Sequence, residues 1–309
     1  MITITATAES FDQASALCDA GIDIIYIGDD HFGLRLPKSF NLDETKEIVE
    51  MVHQKGKKVT IAVTGIMHQD KMAELPAYLQ KLEEIGVDYI EIGDTGLLYL
   101  IKQHKIQIPI IFNNQMLMTN AKQINFWGRK GAIGTVLGRE VPFEEMKSLS
   151  KGMDDHLFAE ILVYGATCIH QSLRPLVTNY YNFIKPQDND TSRERGLFIS
   201  EPNDDQTHYS IFEDEHGTHI FANNDLNLME KLNDLHEYNY NHWKLDGLYT
   251  KGRNFVEIAK LFVQAKEQLL KGTWSEEQAK QLSQQVQKLH PAERDCDEGF
   301  FNYSPDDVK

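Results

Sequence analysis

Short apolar runs punctuated by glycine recur along the chain, and two of them are copies of one unit. Gly21-Ile-Asp-Ile-Ile-Tyr-Ile-Gly28-Asp29 and Gly86-Val-Asp-Tyr-Ile-Glu-Ile-Gly93-Asp94 share a turn glycine, an apolar-rich run and a Gly-Asp exit. The first glycine ends a helix, because a residue without Cβ enters the left-handed region at little cost. The run after it is short and rich in isoleucine and tyrosine, as a buried strand requires. A weaker third copy spans 131–140 and a fourth spans 239–247. The alternation of apolar positions predicts further strands at 1–7, 59–64, 109–113 and 157–164. Segments of helical spacing separate the strands, at 10–20, 42–54, 71–85, 95–104, 119–130, 142–150, 225–238 and 254–270. Asn41 before the second of these, and Asn224-Asp225 before the seventh, have side chains suited to the unpaired amides of a first turn.

Eight strands alternating with eight helices predict an α/β chain folded as a (β/α)8 TIM-like barrel over residues 1–272, followed by a tail at 273–309. The rhythm breaks at about 168–224, which is too long for an ordinary strand-to-helix loop and reads as an insertion after the seventh strand. Within it, 179–183 reads as an aromatic helix, 186–195 as a polar tract, and 209–221 as two short strands around Glu215-His216-Gly217. In the tail, 275–289 reads as a polar amphipathic helix, and Gly299-Phe-Phe-Asn-Tyr303 is aromatic enough to dock on the body.

Charge and composition narrow the partners. Lys and Arg number 31 against 47 Asp and Glu, a formal net charge of −16, which opposes unaided binding to nucleic acid or an anionic membrane. No apolar run reaches bilayer length and the chain opens on a strand, so neither a membrane anchor nor a signal peptide is expected and the cytoplasm is the expected address. Cys18, Cys168 and Cys296 share no metal-like or disulfide spacing. His236-Glu237 begins like a zincin motif, but Tyr240 stands where the second histidine belongs.

Chemistry in such a barrel belongs at the carboxyl ends of the strands. That rim collects Asp29, Asp30, Thr64, His68, Asp94, Asn113 to Gln115, Arg139, Glu140, Cys168, His170, Lys244 and Asp246. A ring with both charge signs can bind a small anionic or sugar-like metabolite and hold an acid or base. Asp29 and Asp94 are equally suited to capping the next helix, and Arg139-Glu140 to an ion pair at the mouth. A cysteine beside a turn reads first as a small buried apolar residue and second as a nucleophile.

The residues around Cys168 add a resemblance. Glu160-Ile-Leu-Val-Tyr164-Gly165-Ala166-Thr-Cys168-Ile-His-Gln-Ser172-Leu-Arg-Pro175 resembles the signature of the collagenase-like peptidase family U32. Gly21 to Gly28 with Phe32, Gly33 and Arg35, Gln115 to Asn120, Arg139-Glu140, and Lys244-Leu-Asp246-Gly247 resemble further landmarks of that family along nearly the whole chain. The resemblance implies a barrel and, despite the peptidase name, roles in hydroxylating RNA or quinone precursors. Taken with Asp29 and His68 of the rim, it points to a candidate reaction centre drawn from Asp29, His68, Gln115, Arg139, Glu140, Glu160, Cys168, Lys244 and Asp246.

Hydroxylating relatives are expected to hold an iron-sulfur cluster on four cysteines. Here Pro175 replaces the second signature cysteine, 193–198 is cysteine-free, Tyr164 stands for a histidine and Leu248 for an arginine. The resemblance therefore implies no cofactor in this chain. The cluster is expected in a longer family paralogue, with which this chain would form a heterodimer acting on the wobble uridine of tRNA to give 5-hydroxyuridine. A U32-type hydrolase and a non-catalytic binding or scaffold protein are the alternatives.

Overall fold

The computed structural model describes residues 1–113 and 117–308, with the backbone alone at 205 and 206. Its elements alternate as β1 (Thr3–Thr7), α1 (Phe11–Asp19), β2 (Ile24–Gly28), α2 (Leu42–Gln54), β3 (Lys58–Val63), α3 (Gln69–Ile85), β4 (Tyr89–Ile92) and α4 (Thr95–His104). They continue as β5 (Ile110–Phe112), α5 (Ala121–Lys130), β6 (Ala132–Val136), α6 (Phe143–Gly152) and β7 (Phe158–Gly165). An insertion follows, made of β8 (Cys168–Ser172), α7 (Leu176–Ile184), β9 (Phe198–Glu201), β10 (Asp204–Asp214) and β11 (Gly217–Phe221). The chain then runs through β12 (Asn224–Asn227), α8 (Leu232–Glu237), β13 (His242–Leu245), α9 (Gly252–Lys271), α10 (Glu276–Leu289) and β14 (Asp295–Asp297).

Strands β1 to β7 pair in parallel in sequence order, and β13 closes the cylinder by pairing in parallel with both β7 and β1. The result is the (β/α)8 barrel that the hydrophobic rhythm predicts. The repeated unit shows how it is built. Gly86 caps α3 at φ 85°, and the aspartate two residues on sends Oδ2 to the amide of Val59 at the foot of the neighbouring strand, 2.9 Å away. Asp23 does the same for the amide of Ile4, at 2.8 Å. One unit therefore ends a helix, opens a strand and ties that strand to the one before it. The helices carry their own start signals: Asn41 and Glu44 form a reciprocal capping box on α2, and Ser10, Asp94, Asn120 and Ser275 each accept an amide hydrogen bond from a first turn.

Alternate residues of each strand divide between two environments. Ile4, Ile25, Ile27, Ile90, Ile92, Ile161, Trp243 and Leu245 join the apolar layer between strands and helices. The residues between them, Thr5, Tyr26, Glu91, Glu160 and Lys244, therefore point into the barrel.

The insertion forms a four-stranded antiparallel sheet in the order β8-β11-β10-β9, with Glu215 and His216 in the β10–β11 turn. It lies against the loop after β2: His216 Nε2 is 2.6 Å from Asp30 O, Arg35 donates to Gln171 Oε1 at 2.8 Å, and Arg193 donates to Leu36 O at 2.6 Å. The tail returns to the barrel, with Phe301 stacked on Phe143 at a centroid distance of 4.7 Å.

One expected helix is corrected. Residues 225–238 do not form a continuous helix, and Asn224-Asp225 is not its cap. Residues 224–227 form β12 between β7 and the tail strand β14, and only Leu232–Glu237 is α-helical. Asp225 is 1% exposed; its two oxygens share the Arg294 Nε hydrogen at 3.1 and 3.0 Å, and Oδ1 also accepts from Nη2 at 2.5 Å. A partner from the tail thus overrides a local capping signal. Among the described residues, no helix is long and apolar enough to cross a membrane.

Candidate functional site in and above the barrel

The barrel interior holds a closed ionic network. Lys244 Nζ lies 3.0 Å from Glu91 Oε2 and 3.7 Å from Glu160 Oε1, and it sits 3.5 Å from the centre of the Tyr26 ring. Tyr26 donates its hydroxyl hydrogen to Glu91 Oε1 at 2.9 Å, Asn113 donates to the same oxygen at 2.7 Å, and Thr5 donates to Glu160 Oε2 at 3.0 Å. Two carboxylates share one ammonium in a site where both are 2% exposed or less. Burial pushes Glu160 above the ordinary carboxylate range; Lys244 pulls it back in part, and Glu91 raises it further. Its Oε1 is buried with no hydrogen bond. Glu160 is thereby a carboxyl group suited to hold or pass a proton. Burial, then Glu91, drives the Tyr26 hydroxyl well above its usual range, so Tyr26 stays a neutral donor. Below the network, a cavity of about 290 Å³ at the amino ends of the strands is lined by Glu160 together with Thr3, Phe158 and His242.

The mouth above has a second constellation. Gly165 ends β7 at φ 122°, where a Cβ would meet Asp246 O at 2.4 Å, so only glycine allows the two strand ends to meet. Just beyond, Arg139 donates to Ala166 O at 3.0 Å. Burial draws the Arg139 guanidinium down and pushes the Asp246 carboxyl up, while each opposes that shift in the other. Cys168 opens β8 opposite Phe221 of β11, with His219 two residues away on the same face. His219 is fully buried, its Nε2 lies 2.9 Å from Asp214 Oδ1, and its Nδ1 has no hydrogen-bond partner within ordinary limits. Burial alone would lower His219, but Asp214 and Cys168 outweigh it and raise its pKa. Burial alone would raise the Cys168 thiol, but His219, Arg35 and Arg139 together bring it below the ordinary value of 9.0. In its protonated form the thiol donates to His170 O at 3.3 Å.

The residues singled out in the sequence divide accordingly. Glu160 and Lys244 meet inside the barrel, and Arg139, Asp246 and Cys168 meet at its mouth. Asp29 fixes its own loop by accepting from His31 N at 2.9 Å, and Asp94 caps α4 by accepting from Gly96 N at 2.6 Å. His68 stands exposed at the start of α3, without a capping bond. Glu140 is exposed, and among the described residues no ion pair joins it to Arg139, whose partner is the Ala166 carbonyl. Gln115 lies outside the described residues. Cys18 is buried in the outer apolar layer on α1 and Cys296 lies on β14 opposite Asp225, and among the described residues no group of three or more His, Cys, Asp or Glu side chains is placed to hold a metal ion.

Glu91, Tyr26, Thr5, His219 and Asp214 escaped the sequence reading. Glu91 and Tyr26 had a legible signal. They fill the same place in the two copies of the repeat, each a polar group between isoleucines of a buried strand.

The sequence is similar to those of known proteins. The sequence profile of peptidase family U32 matches residues 9–309. The tRNA hydroxylation protein P2 of Bacillus subtilis (strain 168) is 32% identical over 97% of this chain and 96% of its own length. The tRNA hydroxylation protein P of Escherichia coli (strain K12) is 25% identical over 74% of this chain, which spans 59% of that protein. The tRNA hydroxylation protein P1 of Bacillus subtilis is 25% identical over 57% of this chain, which spans 42% of it. The solved structure of the U32 peptidase Mk0906 overlays with a TM-score of 0.47 at 15% identity, over 54% of this chain and 70% of that one. With a family profile spanning nearly its whole length and a relative 32% identical over 97% of it, the chain belongs to peptidase family U32.

Proposed function

We propose that this chain is a subunit of a tRNA hydroxylation system that adds a hydroxyl group at C5 of the wobble uridine, and that it works beside a longer U32 family member. The observation that carries this reading is the end-to-end match to tRNA hydroxylation protein P2, at 32% identity over 96% of that protein. The shorter overlap with P1 supports a division of labour, because this chain spans only 42% of it.

The thiols support assigning the iron-sulfur cluster to the longer partner. A cluster of this kind takes several thiolates. Cys168 is at the mouth, Cys18 is on α1 and Cys296 is on β14, and among the described residues no group of three or more His, Cys, Asp or Glu side chains is placed to hold a metal ion. The residues present do not fit a cluster. What this chain offers is a barrel whose buried Glu91–Lys244–Glu160 network includes a carboxyl group, Glu160, held above its ordinary range by burial, under a mouth lined by Arg139 and Asp246.

The test is deletion of the gene followed by mass spectrometry of nucleosides from total tRNA. The expected result is loss of 5-hydroxyuridine derivatives and their return on complementation. Unchanged modification overturns the proposal.

A further inference from the structure

Cys168 stands apart from the other two thiols. Burial pushes Cys18 up to about 11 and Cys296 up to about 12, so both stay protonated and inert. Cys168 instead opens β8 opposite Phe221, which puts His219, two residues along β11, on the same face of the sheet; the thiol hydrogen points to His170 O at 3.3 Å, and the imidazole is held by a carboxylate, with Asp214 Oδ1 2.9 Å from His219 Nε2. The ring nitrogen not taken by Asp214 is buried without an ordinary partner. The order carboxylate, imidazole, thiol is the arrangement in which a base removes a nucleophile's proton while a third group orients the base.

The surroundings of the trio are apolar on one side and cationic on the other. Ala166, Phe212, Phe221 and Leu248 pack around Cys168, while Arg35 and Arg139 act on it electrostatically. The sheet that holds these residues also uses Gly217, at φ 96°, whose Cβ position lies 2.0 Å from Ser172 O. Any larger residue there would separate β11 from β8, and with it His219 from Cys168.

We propose that Cys168, His219 and Asp214 form a nucleophilic thiol centre that attacks an electrophilic carbon of a negatively charged small molecule drawn in by Arg35 and Arg139. The sulfur supplies the electron pair of the new S–C bond and its proton passes to His219. The leaving group departs with the pair of the bond that breaks, so no oxidant or reductant is required. The centre is independent of the tRNA reading, since its chemistry involves no RNA.

Iodoacetate and iodoacetamide test it directly, because both alkylate through the same S–C bond formation and C–I cleavage but only iodoacetate is anionic. Rates on the folded full-length protein would be followed by peptide mass spectrometry at each cysteine, with glutathione as reference. The expected adduct is on Cys168, formed faster than that on Cys296. The iodoacetate-to-iodoacetamide rate ratio should exceed that of glutathione by roughly tenfold. His219→Gln should slow alkylation at neutral pH by about tenfold, with an unchanged circular dichroism spectrum.

If that variant fails to fold, the wild-type pH profile decides. The charged groups around the thiol are His219 on β11, Asp214 on β10, Arg35 in the loop after β2, Arg139 beyond β6 and Asp246 beyond β13. Their balance predicts a rate that levels off below the usual thiol range. An ordinary thiol profile, the charge preference of glutathione, adducts formed no faster at Cys168 than at Cys296, or an unchanged rate in folded His219→Gln would each overturn the proposal.

Discussion

Tyr26 and Glu91 occupy one position in two copies of the same unit, and the barrel brings the hydroxyl of the first within 2.9 Å of the carboxylate of the second. Glu91 is then fully committed, to Tyr26, Asn113 and Lys244. Glu160 is not, and the single lysine between them decides how costly that is. Lys244→Met is expected to leave two buried carboxyl groups without a cation and to destabilise the fold by ~3–5 kcal/mol near neutral pH. The pH dependence has a definite sign. Glu160 is held above its ordinary value of 4.5 by burial, against the pull of Lys244. Its contribution to stability is therefore full below that value and is lost as pH rises through the raised folded value. Removing Lys244 raises the folded value further, so urea denaturation should show a larger deficit for the variant at about pH 8 than at about pH 5. An equal deficit at both would mean that Lys244 does not govern the ionisation of Glu160.

Among the elements, β12 and the tail show the largest difference between local signal and outcome. Asn224-Asp225 followed by an apolar segment has the look of a helix start, yet β12 pairs with β7 on one side and β14 on the other. The reason is a buried ion pair formed across 69 residues: Arg294, 7% exposed in its side chain, reaches Asp225, 1% exposed. Arg294 also donates to Ser210 and Ala222 O and stacks over the Tyr249 ring at 4.4 Å, so one tail residue joins β10, β12 and the segment after β13. Arg294→Met should strand Asp225 and release β14, costing ~3–5 kcal/mol. Limited proteolysis should then cut first within the tail, after about residue 290, and intact-protein mass spectrometry would detect the shortened species. Cleavage no faster than in wild type would show that Phe301 on Phe143 and the α10 contacts suffice to hold the tail.

For the whole molecule, the net charge of −16 is the governing quantity. Long-range repulsion from phosphate disfavours tRNA binding by this chain alone, and the proposed partnership with a longer family member would have to supply the cationic surface. Filter binding with the isolated chain at physiological salt should therefore show no saturable retention of tRNA, whereas the co-purified complex should retain it. Tight binding by the isolated chain would remove the electrostatic reason for a partner.

The sequence by itself determined the barrel. Helix-ending glycines, strand-opening aspartates, N-caps and the switch between periods of two and 3.6 are local, and each acts on residues close to it in the chain. The eight barrel strands and most helices were legible for that reason, as were Lys244, Arg139, Asp246 and Cys168 as residues at or near strand ends, while Glu160 was marked only by the family resemblance. Only the tertiary structure decided which of them meet and which extra groups join them. Thr5 reaches Glu160 across 155 residues, Lys244 reaches Glu91 across 153, and Arg139 faces Ala166 where an ion pair with the adjacent Glu140 was expected. His219 was invisible as a partner of Cys168 because their neighbourhood depends on the register between β8 and β11, which includes an irregularity between Ile220 and Phe221. Burial energy and charge pairing are set by what surrounds a side chain in space, and no pattern along the chain encodes that distance.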